Sequence, residues 1–183
     1  MVSHVVQPEV VCVGSRLWFP NDLLQHCGVI LGIGGVAGHS HKGWAKFNPG
    51  YFNRACLVSN FSAVTAACML VRREIFEKVG GFEEQGLSIA FNDVDLSLRI
   101  REAGYLNLCT PYAELYHFES ASRGYENTKE KFRRFEGEIV FMEQRWGEKL
   151  KSDPYYSPNL TLLQEDFGIA FPPRAHKPWK NEK

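Results

Sequence analysis

The side chains best suited to catalysis in this sequence are two aspartates and a histidine. Asp93 and Asp95 are two of only five aspartates, and they follow a Gly80-Gly81 turn at the start of a predicted helix. His117 lies 24 residues after Asp93, in a segment with strand character. A carboxylate can act as a general base, and an imidazole can bind a metal ion. The combination predicts chemistry on a polar substrate.

Each of these residues also has a structural interpretation. Asp93 could cap the helix, although Asn92 can already do so, and Asp95 suits the helix dipole in the first turn. We favour a structural role for Asp95. A lone histidine such as His117 is most often a hydrogen-bonded core residue, so only its surroundings favour metal binding.

The elements that position these residues can be predicted from capping signals. A short helix is predicted over residues 72–79, with Gly80 as its left-handed C-terminal cap. In the next helix Asn92 is the predicted N-cap, Asp95 completes a weak capping box, and the end lies near Ala103. The apolar residues of this helix alternate as in a strand. The caps and the charged residues nevertheless favour a helix.

Other predicted elements are a strand at 9–19, a glycine-rich loop at 28–43, a buried apolar segment at 63–71, two short strands at 105–109 and 113–117, and an amphipathic helix at 127–150. The polar face of the last helix mixes charges of both signs. It is therefore expected to pack on its own domain rather than on a membrane surface. We expect residues 1–150 to form one unit and residues 151–183 to form an extended C-terminal tail.

The composition excludes several classes of protein. A chain of 183 residues with a net charge of zero has no basic field for nucleic acid. Its five cysteines form no Cys-x-x-Cys pair, which argues against a disulfide framework or a zinc ribbon. The sequence contains no apolar run long enough to span a bilayer. It predicts a cytoplasmic protein with reduced thiols.

Taken together, these motifs resemble the family-2 glycosyltransferases of the GT-A fold. The matching stretches are residues 64–73, the Gly80-Gly81-Phe82 turn, the Asn92-Asp93-Val94-Asp95-Leu96 motif, and His117 with Ser120 and Ser122 behind it. Residues 34–43 and 153–173 also resemble the flanks of a bacterial subgroup. The resemblance covers nearly the whole chain.

The resemblance implies roles for individual residues. Asp93 occupies the position of the family's catalytic base, although the usual acidic pair reads Asn92-Asp93 here. His117 matches the family's late metal-binding histidine. The substrate-binding positions implied are Gly80, Gly81, Asn92 and Arg123. For the two glycines a backbone role comes first, and Arg123 is equally suited to a diphosphate or to solvent.

The family's Asp-x-Asp motif, which binds the metal ion and the donor diphosphate, has no counterpart before Asp93. The expected fold is therefore α/β, the C-terminal half of a GT-A-like mixed sheet with flanking helices, lacking the N-terminal nucleotide-binding half. A divalent cation, Mn²⁺ or Mg²⁺, is expected only with that half. The implied partners are a nucleotide-sugar donor and a carbohydrate or lipid-linked acceptor, with a peripheral membrane position left open. Self-association is expected of the fragment.

Two other functions remain open from the sequence. One is a non-catalytic carbohydrate-binding or assembly module derived from such an enzyme. The other is a metallohydrolase, whose ligands would be His39, His41, Asp93, Asp95 and His117. We disfavour the hydrolase because this spacing matches no familiar metal motif, and we expect the histidine-containing loop to lie near the acceptor instead.

Overall fold

The computed structural model of the protein describes residues 1–118 and 128–175. These residues form seven strands, five α-helices and three short 3₁₀ helices. The bounds of the strands and α-helices in chain order are α1 Val2–Val5, β1 Val10–Trp18, β2 Leu24–His26, β3 Val29–Leu31, β4 Ala37–His39, β5 Ser59–Phe61, β6 Met69–Val71, α2 Arg73–Lys78, α3 Asn92–Glu102, β7 Leu106–Tyr116, α4 Lys129–Trp146 and α5 Glu148–Lys151.

Strand β1 is the centre of a five-stranded mixed sheet. It pairs in parallel with β7 and antiparallel with β2 and β6, and β5 pairs antiparallel with β7. Nearly every residue of β1 is buried, as expected for a strand covered on both faces. The predicted α/β architecture with a mixed sheet and flanking helices is confirmed.

Burial of helix α3 on two sides explains why its apolar residues alternate as they would in a strand. Leu96 and Ile100 lie four residues apart and pack in the cluster formed with β1. Val94 and Leu98 have the same spacing and pack in a second cluster, which contains Met142 of α4. Because the helix is buried on two sides, its apolar residues alternate although the backbone is helical. The prediction of a helix ending near residue 103 is confirmed.

Residues 28–43 differ from the predicted loop. β3 and β4 form an antiparallel hairpin with Val29 opposite His39. The connection uses Gly32 and Gly35 with φ values of 83° and 96°, a region that glycine adopts readily. The strands have three residues each, which is too short to produce a recognisable alternation in the sequence.

The prediction of a buried segment at 63–71 holds only at its start. Ala63 and Val64 are fully buried. Ala66 and Ala67 are exposed in a 3₁₀ turn, and β6 is half-buried. Small apolar residues fit both a core and a surface where the backbone must come close to a ligand, so composition alone could not separate them.

The two short strands predicted around Thr110 and Pro111 are one strand, β7. The prediction was wrong because proline was treated as a strand break. The register jumps between the pairs Ser15–Thr110 and Arg16–Glu114, and this irregularity accommodates the proline.

Helix α4 packs on its own domain, as predicted. Its residues Met142 and Trp146 are buried against α3, whereas Phe132 is 55% exposed. Between α5 and residue 175 the chain forms no further α-helix or regular β-strand. In this segment Tyr156 and Phe167 pack against Ile30 of β3. In the two described ranges no helix is long and apolar enough to cross a membrane.

Candidate active site groove

A groove of 870 Å³ lies beside the N-terminus of α3. It is bounded by the first turn of α3, the exposed turn at Ala66 and Ala67, the hairpin residue His39, and His117 at the end of β7. The structure thus brings Asp93 and His117 to one groove, although 24 residues separate them in the sequence. The adjoining loop carries Lys42, which also lines the groove.

The carboxylate of Asp93 is held by two backbone donors. Oδ2 accepts from the N–H of Ala66 at 3.0 Å, and Oδ1 accepts from the N–H of Val94 at 2.9 Å. The side chain is half-buried. Each oxygen retains a further lone pair, because a carboxylate has about four acceptor sites. The group is therefore fixed in orientation and able to accept a proton or hydrogen bond from a ligand.

Asn92 does not cap the helix as the sequence predicted. It is the first helical residue, and the N-cap position is Phe91, in a left-handed conformation with φ 62° and no side-chain cap bond. Asn92 lines the groove instead. An unusual backbone conformation in a bulky residue indicates that the surrounding structure imposes it, and here it lies two residues before Asp93.

His117 follows the last residue of β7 and is half-buried. Its backbone N–H donates to the carbonyl of Trp18 at 2.9 Å. Its ring Nδ1 lies 2.9 Å from Oε1 of Gln25 in β2. An amide oxygen accepts a hydrogen bond, so Nδ1 carries a proton, and in the neutral form of the ring Nε2 carries the lone pair.

Asp95 does not line the groove. It is fully buried, and its carboxylate accepts from Trp146 Nε1 at 2.9 Å and from Arg99 Nε at 2.9 Å. Arg99 also donates to the carbonyl of Gly81 at 2.5 Å. Asp95, together with Arg99, therefore connects α3 to α4 and to the turn after α2. This is the structural role that the sequence favoured for Asp95.

The two glycines predicted to bind substrate lie outside the groove. Gly80 and Gly81 form the turn after α2 with φ values of 91° and 66°, and neither belongs to the lining of the groove. The predicted cap function of Gly80 agrees with this conformation. Arg123, with Ser120 and Ser122, lies outside the described residues.

Glu138 holds a residue that lines the groove, and it was not recognised from the sequence. It is 2% exposed, and its Oε1 accepts from Ser88 Oγ at 3.2 Å and from the N–H of Ile89 at 2.8 Å. Ile89 lines the groove. The buried carboxylate therefore positions the loop that leads into α3. A glutamate within the apolar stripe of α4 was the available signal.

His26 was also missed, and it is fully buried at the end of β2. Its Nδ1 lies 2.8 Å from Nδ1 of His39. A cavity of 90 Å³ next to these rings is lined by Lys42, Thr65 and His117 as well. Burial, followed by the effect of His39, holds the pKa of His26 well below its ordinary value.

His41 lies apart from the groove, in an aromatic cluster. Its ring stacks on Phe167 at 4.2 Å, its Nδ1 lies 2.7 Å from Ser40 Oγ, and its Nε2 accepts from the N–H of Tyr51 at 3.0 Å. Burial, and to a smaller extent Arg54, lowers its pKa to about 4. His41 and Asp95 are thus engaged in separate contacts. Within the described part of the chain no three histidine, cysteine or acidic residues form a metal-binding group.

The groove can perform two kinds of chemistry with its described residues. Asp93 can accept a proton from a bound hydroxyl group. The imidazole N–H groups and the Lys42 ammonium group can bind oxygen atoms of a polar ligand.

No protein-family model matches the chain. The uncharacterized protein y4gI of Sinorhizobium fredii is 51% identical over 94% of the chain, and the O-antigen biosynthesis protein RfbC of Myxococcus xanthus is 37% identical over 92%. An N-acetylglucosaminyl-diphospho-decaprenol L-rhamnosyltransferase of Mycobacterium tuberculosis is 33% identical over 45% of the chain.

The chain is similar to proteins with glycosyltransferase-type names. It spans only part of each relative, namely 19% of the Sinorhizobium protein, 13% of the Myxococcus protein and 26% of the Mycobacterium protein.

Proposed function

We propose that this chain is part of an inverting glycosyltransferase of family 2 with a GT-A fold. It would transfer a sugar from a nucleotide-diphosphate donor to an acceptor hydroxyl. Residues 1–150 would supply the acceptor side and the catalytic base. The observation that carries the proposal is the groove at the start of α3, which is lined by Asp93, with its oriented carboxylate, and by His117.

In the proposed reaction Asp93 removes the proton of the acceptor hydroxyl. The acceptor oxygen forms a bond to the anomeric carbon, and the bond between that carbon and the diphosphate oxygen breaks. The electron pair of the broken bond leaves with the nucleoside diphosphate. The backbone donors of Ala66 and Val94 hold the carboxylate in one orientation, which favours proton transfer by positioning.

The site supplies one ligand for a divalent cation, Mn²⁺ or Mg²⁺. His117 would contribute Nε2 as a ligand, since its Nδ1–H is engaged by Gln25, the arrangement common in metal-bound histidines. When bound, the cation would offset negative charge on the leaving diphosphate. Its other ligands would come from residues beyond those the structure describes, such as an Asp-x-Asp motif.

The names of the relatives suggest the substrate class. We propose a role in the synthesis of a cell-surface polysaccharide or glycoconjugate, with a carbohydrate or lipid-linked acceptor. Such an enzyme would work at the cytoplasmic side, with a peripheral position at the membrane. The test should therefore use nucleotide sugars, including an activated L-rhamnose, with sugar-diphosphate-lipid acceptors.

Replacing the base tests this function directly. Asp93→Asn in the full-length polypeptide is expected to lower turnover by a factor of about 10²–10⁴, because general-base catalysis supplies that much of the rate. Donor binding and the folded state should remain, because the asparagine oxygen can still accept a backbone hydrogen bond. Turnover and donor affinity are measured in parallel.

Asp22→Asn is the matched control, because Asp22 is exposed and bonds Lys46 outside the groove. It should leave turnover unchanged. Near-normal turnover of Asp93→Asn would assign that residue a structural function, and no glycosyl transfer by the unmodified protein with any donor would refute the proposal as a whole.

A further inference from the structure

The hydrogen bonds of His26 determine where its ring proton lies. Nε2 is directed at two backbone N–H groups, those of Gly28 at 3.2 Å and Thr65 at 3.5 Å. A nitrogen that accepts an N–H bond cannot itself carry a proton. The ring is fully buried and neutral, so its single proton lies on Nδ1.

The same argument then extends to His39. Its Nδ1 lies 2.8 Å from Nδ1 of His26, and only one proton can occupy a hydrogen bond between them. His26 is the donor, so Nδ1 of His39 is the acceptor. A neutral His39 must therefore carry its proton on Nε2. His39 presents an N–H donor, whereas a neutral His117 with its proton on Nδ1 carries a lone pair on Nε2.

The turn from His39 to Lys42 places both side chains at the cavity of 90 Å³. The N–H of Lys42 donates to the carbonyl of His39 at 3.4 Å, and His41 within the turn has φ 59°. The buried ring of His41, held by Ser40 and Tyr51, fixes the turn. The cavity is thus built on an anchored segment and does not depend on a loosely held loop.

The described lining of this cavity favours a negatively charged ligand. It provides the N–H donor of His39, the ammonium group of Lys42 and the hydroxyl group of Thr65. It contains no carboxylate among the described residues that line it. Cationic groups and N–H donors are the usual partners of phosphate oxygens.

We propose that His39 and Lys42 bind a phosphate group at this cavity, and that His26 is the positioning residue that fixes His39 as an Nε2–H donor. The phosphate site rests on the proposed function, since the donor and a lipid-linked acceptor would each carry a diphosphate. The positioning role of His26 depends on the geometry alone.

The ring tautomers can be measured by ¹⁵N NMR on the chain labelled at histidine. His26 is expected to be protonated on Nδ1 and His39 on Nε2. His26→Asn should keep His39 in this form, because its amide can donate in place of Nδ1, whereas His26→Phe should release His39 to a mixture of tautomers. Protonation of His39 on Nδ1 in the unmodified chain would overturn the positioning role, whether or not His26→Phe folds.

Binding is tested with inorganic pyrophosphate by isothermal titration. Lys42→Ala and His39→Phe are each expected to weaken its affinity about tenfold, as loss of one hydrogen bond involving a charged group implies. Lys78→Ala is the matched control, since this exposed lysine at the end of α2 lines neither cavity. Equal affinity in all four proteins, or no binding, would contradict the phosphate site.

Two further titrations distinguish the sources of the phosphate. If Lys42→Ala weakens a nucleoside diphosphate, the cavity serves the donor, and if it weakens a short-chain prenyl diphosphate, the cavity serves the acceptor. An effect on neither contradicts the proposal. These readouts need no turnover, so the phosphate site can fail while glycosyl transfer persists, and transfer can fail while the site is occupied.

Discussion

The partner of each buried histidine decides what its ring can do. His26 and His41 both accept a backbone N–H on Nε2, which excludes a proton at that nitrogen in the folded protein. Protonating either ring would place a donor against a donor inside the core. Both side chains therefore favour the neutral form, and their pKa values are lowered by burial first.

This arrangement predicts acid lability. The pKa of His41 is about 4 in the folded protein and about 6.5 in the unfolded chain, so between these values only the unfolded chain binds the proton. Stability is complete above pH 6.5 and is lost as the pH falls. From pH 7 to pH 5 the free energy of unfolding should decrease by about 2 kcal/mol from His41 alone, and His26 acts in the same direction.

Urea denaturation at the two pH values measures this effect. His41→Gln is the informative comparison, because glutamine does not titrate and can still hydrogen-bond. The variant should be less stable at pH 7 but should show a smaller decrease toward pH 5. An equal decrease in both proteins would show that other groups control the acid transition.

The sequence located some of these residues and not others, for a physical reason. Asp93 and His117 were identified because short motifs surround them, and both line the groove. His26 and Glu138 were missed because their importance comes from partners 13 and about 50 residues away, which no local pattern contains. A polar residue inside an apolar stretch is the only signal such positions give.

At the scale of elements, α3 is the part that orients the groove. Asp95 bonds it to Trp146 of α4 and, through Arg99, to the turn at Gly81. Glu138 of α4 holds Ile89 in the loop just before it. The first turn of α3, which carries the proposed base, is therefore fixed from both sides by buried carboxylates.

Asp95→Asn tests the first of these contacts. It should decrease the free energy of unfolding by about 3 kcal/mol, because it leaves the nearly buried guanidinium of Arg99 without its anion. Glu102→Gln is the matched control on the same helix. Its partner Lys149 is exposed, so the loss should stay below about 1 kcal/mol. Equal losses in the two variants would show that the buried Asp95–Arg99 pair stabilises the protein no more than the exposed Glu102–Lys149 pair.

The predictions of secondary structure were wrong where strand pairing outweighed the preferences of the local sequence. β7 continues through Pro111 because the register with β1 shifts there. β3 and β4 are short strands stabilised by each other, by the Val29–Ala63 bridge and by the packed segment around Tyr156. The β1 strand was predictable because burial on both faces leaves a dense apolar sequence. Helix α3 was predictable only from its capping signals and charged residues, because its apolar residues alternate as in a strand.

At the scale of the molecule, one edge of the sheet has no partner strand among the described residues. β5 pairs with β7 only from Asn107 to Cys109, and within the described residues no strand pairs with the far side of β7 beyond that point. Tyr112, Leu115 and Tyr116 on this stretch are 83%, 47% and 49% exposed. An open edge with exposed apolar side chains is a site for pairing with another chain.

We therefore expect the 183-residue chain to self-associate through β7 at low micromolar concentration, as light scattering would report. Tyr112→Lys should shift the chain toward the monomer, because a lysine on an open edge opposes strand pairing. Phe171→Lys removes another aromatic side chain, which is 98% exposed and belongs to the segment that packs against β3, and should leave the association unchanged. A monodisperse monomer of the unmodified chain would contradict the prediction. Strand pairing at an edge depends on the position of the lysine, whereas general hydrophobic aggregation does not. An equal effect of both lysine substitutions would therefore point to general aggregation.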